Sequence, residues 1–132
     1  MTTDAQMLAL AQRFFDSAEV GDIDIQMACY APGAVIWHNT DGIEQSREEN
    51  AAVIRNFVRR IRERKYTNRR VHLFPGGFLQ MHDLEGLRAD GVRLTLPACV
   101  VCQVRDGLIV RLDEFFDSVH VAEFRKEILQ TN

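Results

Sequence analysis

The segment Val92 to Phe116, VRLTLPACVVCQVRDGLIVRLDEFF, constrains this chain more than any other. Two runs rich in β-branched and apolar residues flank Asp106–Gly107, a strong signal for a tight hairpin. In the first run Val92, Leu94, Leu96, Ala98, Val100, Cys102 and Val104 are apolar, while Arg93, Thr95, Gln103 and Arg105 alternate with them. That predicts a strand with one buried and one wetter face. Pro97 cannot donate to a ladder, so it predicts a bulge or an open edge within this strand.

The return run holds an oddity. Asp113 and Glu114 are adjacent, and neighbouring side chains of a strand point to opposite faces. Alternation groups Glu114 with Val110, Leu112 and Phe116, and groups Asp113 with Ile109, Arg111 and Phe115. The first set is the apolar one, so Glu114 is expected to face inward. A carboxylate among aliphatic and aromatic neighbours has its charged form disfavoured, which suits it to acid–base chemistry. The bland alternative is a buried glutamate paired with an arginine or with backbone amides.

Upstream, T-D-A-Q at Thr3 to Gln6 predicts a capped helix whose apolar stripe is Leu8, Ala11, Phe15 and Ala18. A short helix around Ile23 to Cys29 precedes YAPGA and a strand, AVIWHN. Ser46 and Glu49 form a second capping box, opening a helix with the stripe Ile54, Phe57, Val58 and Ile61. The strands RRVHLF and FLQMHDLE, separated by PGG, lead into the hairpin, and Ser118 is placed to cap a last helix through Leu129. Helices packed on one face of a mostly antiparallel sheet make an α+β domain. With 132 residues there is room for one such domain, residues 1–132, and one core.

The net charge of −3 gives no reason to expect a nucleic-acid partner. The first sixteen residues read as an amphipathic helix rather than a signal peptide, and no apolar run suggests a membrane span. An odd count of 3 cysteines fits a reducing cytoplasm, and CVVC at Cys99 to Cys102 reads as buried apolar residues in mid-strand. No histidine or cysteine spacing suggests a metal, and no phosphate loop or other cofactor motif is visible. Arg59 to Arg70 holds seven cationic residues, read as a solvated helix end favoured by the helix dipole.

This order of elements, together with YAPGAVIWHN and DGLIVRLDEFFDSVHVAEF, resembles the nuclear transport factor 2-like (cystatin-like) superfamily and its SnoaL-like group. That group includes polyketide cyclases, ketosteroid isomerases, scytalone dehydratase and limonene epoxide hydrolase. The resemblance implies a cone-shaped curled sheet with N-terminal helices on its concave face, a small-molecule cavity, and a convex face that forms homodimers. It implies site residues as well. By likeness to limonene epoxide hydrolase, Trp37 and Asn39 stand where a water is held, and Glu114 matches the final-strand aspartate. Met81 and Asp83 match a middle-strand arginine and aspartate, so the bridging arginine is missing. The ketosteroid isomerase base falls on Asn39, which cannot accept a proton at neutral pH. His38 and His82 are possible stand-ins for the cavity histidines of scytalone dehydratase.

The resulting candidates are Glu114 and Asp83 as proton movers, His38 and Asn39 as orienting groups, and Trp37, Met81, Leu112 and Phe116 as walls for a largely apolar ligand. Two parities stay open. Either His82 or Asp83 faces inward, with the resemblance favouring Asp83; and either His38 or the pair Trp37 and Asn39 does. The expected activity is cofactor-independent isomerisation, cyclisation, dehydration or hydration. The alternative is a non-catalytic ligand-binding or dimerisation module with the same fold.

Overall fold

The computed structural model describes residues 1–126. Helix α1 (Asp4–Val20) starts at Thr3, whose side chain accepts from the Gln6 amide while Gln6 returns the bond, and ends on Gly21 at φ 79°. That left-handed conformation favours glycine. The buried side of α1 is Met7, Leu10, Ala11, Phe14, Phe15 and Ala18. Leu8, expected in the stripe, is 48% exposed. The apolar arc is centred one residue round, because Phe14 and Phe15 are both drawn into the core.

Helix α2 (Ile23–Ala28) leads into strand β1 (Tyr30–His38), which begins earlier than AVIWHN. Strand β2 (Glu44–Ser46) is short, and helix α3 (Arg47–Arg60) opens on the reciprocal Ser46–Glu49 box. Strands β3 (Arg62–Phe74), β4 (Gly77–Leu87), β5 (Arg93–Arg105) and β6 (Leu108–Phe116) follow, then helix α4 (Ser118–Arg125), capped by Asp117. The rest of the expected last helix, toward Leu129, lies outside the described residues.

The basic run is therefore mostly strand. Only Arg59 and Arg60 occupy the last turn of α3; the others belong to β3. Arg64 folds back to donate to the carbonyls of Val58 and Ile61, and Arg69 pairs with Asp16 and Glu19 of α1. Positive side chains that satisfy helix carbonyls and acids need no anionic partner.

The six strands form one open sheet in the order β2-β1-β6-β5-β4-β3. All neighbours are antiparallel except β1 and β6, which run parallel. Pro97 causes no bulge: the β4–β5 register runs unbroken through Asp83↔Pro97. On its other side β6 has already ended at Ala98↔Phe116, so the missing N–H falls at an open edge.

A bulge occurs instead in β6. Gln103 pairs with Arg111 but Val104 pairs with Ile109, which leaves Val110 as the extra residue. The parity inferred for the start of this strand is thereby corrected. Ile109 is fully buried in the core, while Val110 lies with Val101 and Gln103 on the other face. From Leu112 onward the expected alternation holds.

Two apolar clusters fill the space between sheet and helices. The larger joins Leu10, Phe14 and Phe15 to Tyr30, Phe78, Val100, Ile109 and Leu112. The smaller joins Ile61, Leu84 and Leu96 to Val121 and Phe124 of α4. Tyr66 touches both clusters. His82 stands against Tyr66 at this seam.

Candidate active site

β1 and β6 run parallel with His38 opposite Glu114. Both side chains point to the helix-covered inner face, and His38 Nε2 lies 3.2 Å from a Glu114 carboxylate oxygen. The pair is mostly withdrawn from water, with side chains 14% and 22% exposed. Burial pulls the imidazole pKa down, but the hydrogen bond and charge of Glu114 outweigh it, so His38 sits above its ordinary value. Among the described residues no lysine or arginine pairs with Glu114.

Glu114 looks across the sheet. It is opposite Val100 of β5, which is opposite Gln80 of β4; Phe116, two residues on, is opposite Ala98, which is opposite His82. The row His38, Glu114, Val100, Gln80 thus crosses four strands, with His82 a diagonal step away. The negative charge of Glu114 is felt across this face. It adds to the burial that raises the phenols of Tyr30 and Tyr66 and the thiol of Cys102. It also opposes the burial that lowers His82.

His82 and Gln80 are each 1% exposed. The Gln80 side-chain amide lies 3.0 Å from His82 Nδ1, and the ring stands edge-on to Phe15 and Tyr66 at centroid distances of 5.2 and 4.9 Å. Its Nε2 is buried with no hydrogen-bond partner. A buried polar group left unpaired costs about 1–3 kcal/mol, so this atom is conspicuous.

The open parities are thereby decided. On β4 the buried positions are Phe78, Gln80, His82 and Leu84, so Met81 and Asp83 lie on the outer face, opposite Cys99 and Pro97. Asp83 is not brought together with Glu114, which reverses the assignment that the resemblance favoured. Both parities of this strand offered two apolar residues and two polar ones, and only the packing of Phe78 and Leu84 into the two clusters selects between them.

On β1, His38 faces inward with Ile36, while Trp37 stacks edge-on against Phe115, centroids 5.4 Å apart, on the outer face. Asn39 is exposed and clamps the end of β6, donating to the Phe116 carbonyl and accepting from its amide. Leu112 is a core residue, and Phe116 lies beside His38 at 5.9 Å between centroids. Of the eight candidates, Glu114, His38, Leu112 and Phe116 share the inner face.

Sequence reasoning overlooked Tyr66 and Gln80. The sequence reading takes the basic run Arg59 to Arg70, which contains Tyr66, as a solvated helix end. Tyr66 has the opposite parity to Val71 and Leu73, and a bulge between Thr67 and Arg70 is what brings all three to one face, so alternation in the sequence does not reveal it. Among the described residues no group of three or more His, Cys, Asp or Glu side chains is arranged to hold a metal.

Residues 11–112 match the SnoaL-like domain family. A search of curated sequences gives no match. Solved structures with the same fold include a candidate polyketide cyclase from Xanthomonas campestris pv. campestris, at TM-score 0.81 and 19% identity, covering 92% of this chain and 98% of that one. A candidate isomerase from Bacillus subtilis superposes at TM-score 0.79 and 16% identity, covering 96% and 97%. PrhC from Penicillium brasilianum does so at 0.79 and 15%, covering 91% and 85%. At these identities the likeness speaks for the fold alone, an open α+β sheet of the nuclear transport factor 2-like kind. The family match spans well over half of the sequence, and the chain belongs to the SnoaL-like family.

Proposed function

We propose that this protein is a cofactor-independent enzyme that moves protons on a small, largely apolar molecule at the inner face of the sheet. The observation that carries this reading is the His38–Glu114 pair, 3.2 Å apart and largely buried, with no arginine neutralising the carboxylate among the described residues. An arginine would lock the acid as a permanent ion pair. A histidine can gain or lose its proton near neutral pH, so the pair can take up a proton and release it again. In this reading a Glu114 oxygen takes a proton from carbon or water, and His38 returns or drains it. Phe116 and the apolar clusters supply the wall. Isomerisation and cyclisation, the activities named for the solved relatives, both need such a step.

The test is deuterium uptake at the α-carbon of a panel of enolisable ketones and β-keto esters in heavy water, followed by proton NMR. The wild-type protein is expected to catalyse uptake on at least one panel member, and Glu114→Gln to lose it. No uptake above the buffer rate, or uptake unchanged in Glu114→Gln, removes the reading.

A second reading has one observation in its favour: Glu114 is already ion-paired whenever His38 is protonated. The pair could then be structural and the domain a ligand-binding module without turnover. The same experiment separates the two, since such a module binds a ketone without exchanging its hydrogens.

The outer face supports a homodimer. Phe115 is 44% exposed there beside Trp37, and Met81, Cys99 and Val101 lie on the same face. Phe115→Asp should yield monomers in sedimentation velocity, and an unchanged dimer, or a wild-type monomer, refutes this interface. Cys29, Cys99 and Cys102 are free thiols, which suits a reducing compartment such as the cytoplasm.

A further inference from the structure

A hollow of about 420 Å³ lies between helix α4 and the turn that follows β1. Thr40 lines it from the turn, and Ser118, Val121, Ala122, Arg125 and Lys126 line it from the helix side. The first four of these are spaced i, i+3, i+4 and i+7, which makes them one stripe of α4. Thr40 comes two residues after His38 and Ser118 two after Phe116, so the hollow lies beyond the ends of β1 and β6. Neither His38 nor Glu114 lines it.

The lining has two cations and no acid. Neither Arg125 nor Lys126 makes an ion pair among the described residues. The acids of the turn and of α4 are engaged elsewhere. Asp117 caps the Val119 amide at 2.8 Å, Asp41 accepts from the Ile43 amide at 3.0 Å, and Glu123 pairs with Arg88 at 2.8 Å. A cation at the end of a helix ordinarily answers the free carbonyls there. Here Arg60 does so, its Nη1 reaching the carbonyls of Phe124 and Arg125 at 3.5 and 3.2 Å. Arg125 and Lys126 are therefore not called on by α4 itself. Thr40 adds a buried hydroxyl oxygen with no hydrogen-bond partner among the described residues.

We infer that the hollow binds a small organic carboxylate, held at its charged end by Arg125 and Lys126 and along its apolar body by Val121 and Ala122. A planar guanidinium takes a carboxylate through two parallel bonds, and an ammonium beside it adds a point charge. The same pair repels a cation, and a hydrocarbon leaves both charges unanswered. This site goes beyond the proton-moving reading and stands whether or not His38 and Glu114 turn over a ligand. The two are in electrical contact all the same. Burial lowers the His38 pKa, the hydrogen bond and charge of Glu114 and the charge of Asp41 raise it, and the charge of Arg125 lowers it. A carboxylate on Arg125 offsets that last charge, so filling the hollow raises His38 further. By linkage, the carboxylate binds more tightly as pH falls through the His38 value.

The experiment titrates ¹⁵N-labelled protein with sodium hexanoate at constant ionic strength, with hexanamide as the uncharged molecule of the same body. Backbone amides of Thr40 and of Ser118 to Lys126 are expected to shift and to saturate, with Kd on the order of 1 mM. Hexanamide should bind about tenfold more weakly or worse. The double variant Arg125→Gln, Lys126→Gln changes two exposed positions, should keep the spectrum of the folded protein, and should lose about tenfold in hexanoate affinity. The His38 ring should titrate at higher pH in saturating hexanoate. Shifts centred elsewhere, equal affinity for hexanamide, or a double variant that binds like the wild type overturns the site. A His38 midpoint that fails to rise overturns the placement of the carboxylate on Arg125. Hexanoate binding without deuterium uptake on any ketone leaves this inference standing and the proton-moving reading fallen. Uptake without hexanoate binding means the reverse.

Discussion

Asp113 and Glu114 are neighbours on one strand, yet they meet opposite fates. On the outer face Asp113 receives three close contacts from Arg111, at 2.9, 3.1 and 3.1 Å, and Arg111 also reaches Glu44 at 3.0 Å. Asp113 therefore meets a permanent positive charge, and the fork geometry fixes both groups. On the inner face Glu114 receives only a histidine whose own charge is conditional, and across the sheet His82 keeps an unanswered nitrogen. Asp113 is answered by a permanent charge, and Glu114 by a conditional one. Folded proteins leave polar groups incomplete where they are used, since a saturated network has nothing to offer a ligand.

The largest effect expected from breaking this contrast is on catalysis. Glu114→Gln removes the proton acceptor while keeping its shape, and should lower deuterium uptake by about 100-fold or more, equivalent to about 2.7 kcal/mol of barrier. Asp113→Asn should leave uptake within about twofold, the factor that separates a group touching the ligand from one that does not. If the two substitutions depress uptake equally, the division between the faces is wrong.

Stability should show the opposite ranking. Trp37→Ala removes the edge-on contact with Phe115 and part of the outer apolar surface, and should cost about 2 kcal/mol in chemical denaturation. Asp113→Asn strips the Arg111 fork of its charge partner. At a site where Arg111 is 33% exposed, about 1 kcal/mol is expected, or roughly 4 °C in Tm. Neither change should lower deuterium uptake by more than about twofold.

The smallest effect is a pair of opposed pH slopes. His38 is raised above its unfolded value of about 6.5, so the folded state binds more protons than the unfolded state above that pH. Its stabilisation is fully present below about 6.5 and is lost as pH rises through the folded value. His82 is lowered, so the unfolded state binds the extra proton below about 6.5, and stability falls as pH drops through that window. Denaturation midpoints should therefore peak near neutrality in wild type. In Glu114→Gln the alkaline slope should flatten while the acid slope persists. An alkaline slope unchanged by that substitution would separate His38 from Glu114.

Much of the architecture was legible in the sequence. Both capping boxes, the Asp106–Gly107 hairpin and the inward parity of Glu114 follow from local rules: a side-chain oxygen three residues from an amide, a turn needing positive φ, and a period of two. Those interactions act over a few residues, so a few residues declare them. The start of β3 was not legible. Arg62 to Arg70 has no helical stripe and little strand alternation, and it is held as a strand by pairing with β4 and by Arg69 reaching the acids of α1.

The sequence by itself determined that one carboxylate of the last strand must turn inward among apolar neighbours. Only the tertiary structure decided its company. A strand's alternation divides its residues into two sets but does not say which set meets the core. For β1 and β4 that choice was made by Ile36, Phe78 and Leu84 burying into the clusters, and it carried His38, Gln80 and His82 inward and Trp37, Met81 and Asp83 outward. Apolar burial, worth about 25 cal/mol per Å² and summed over many residues, sets the face. The polar residues that share that parity become the candidate site.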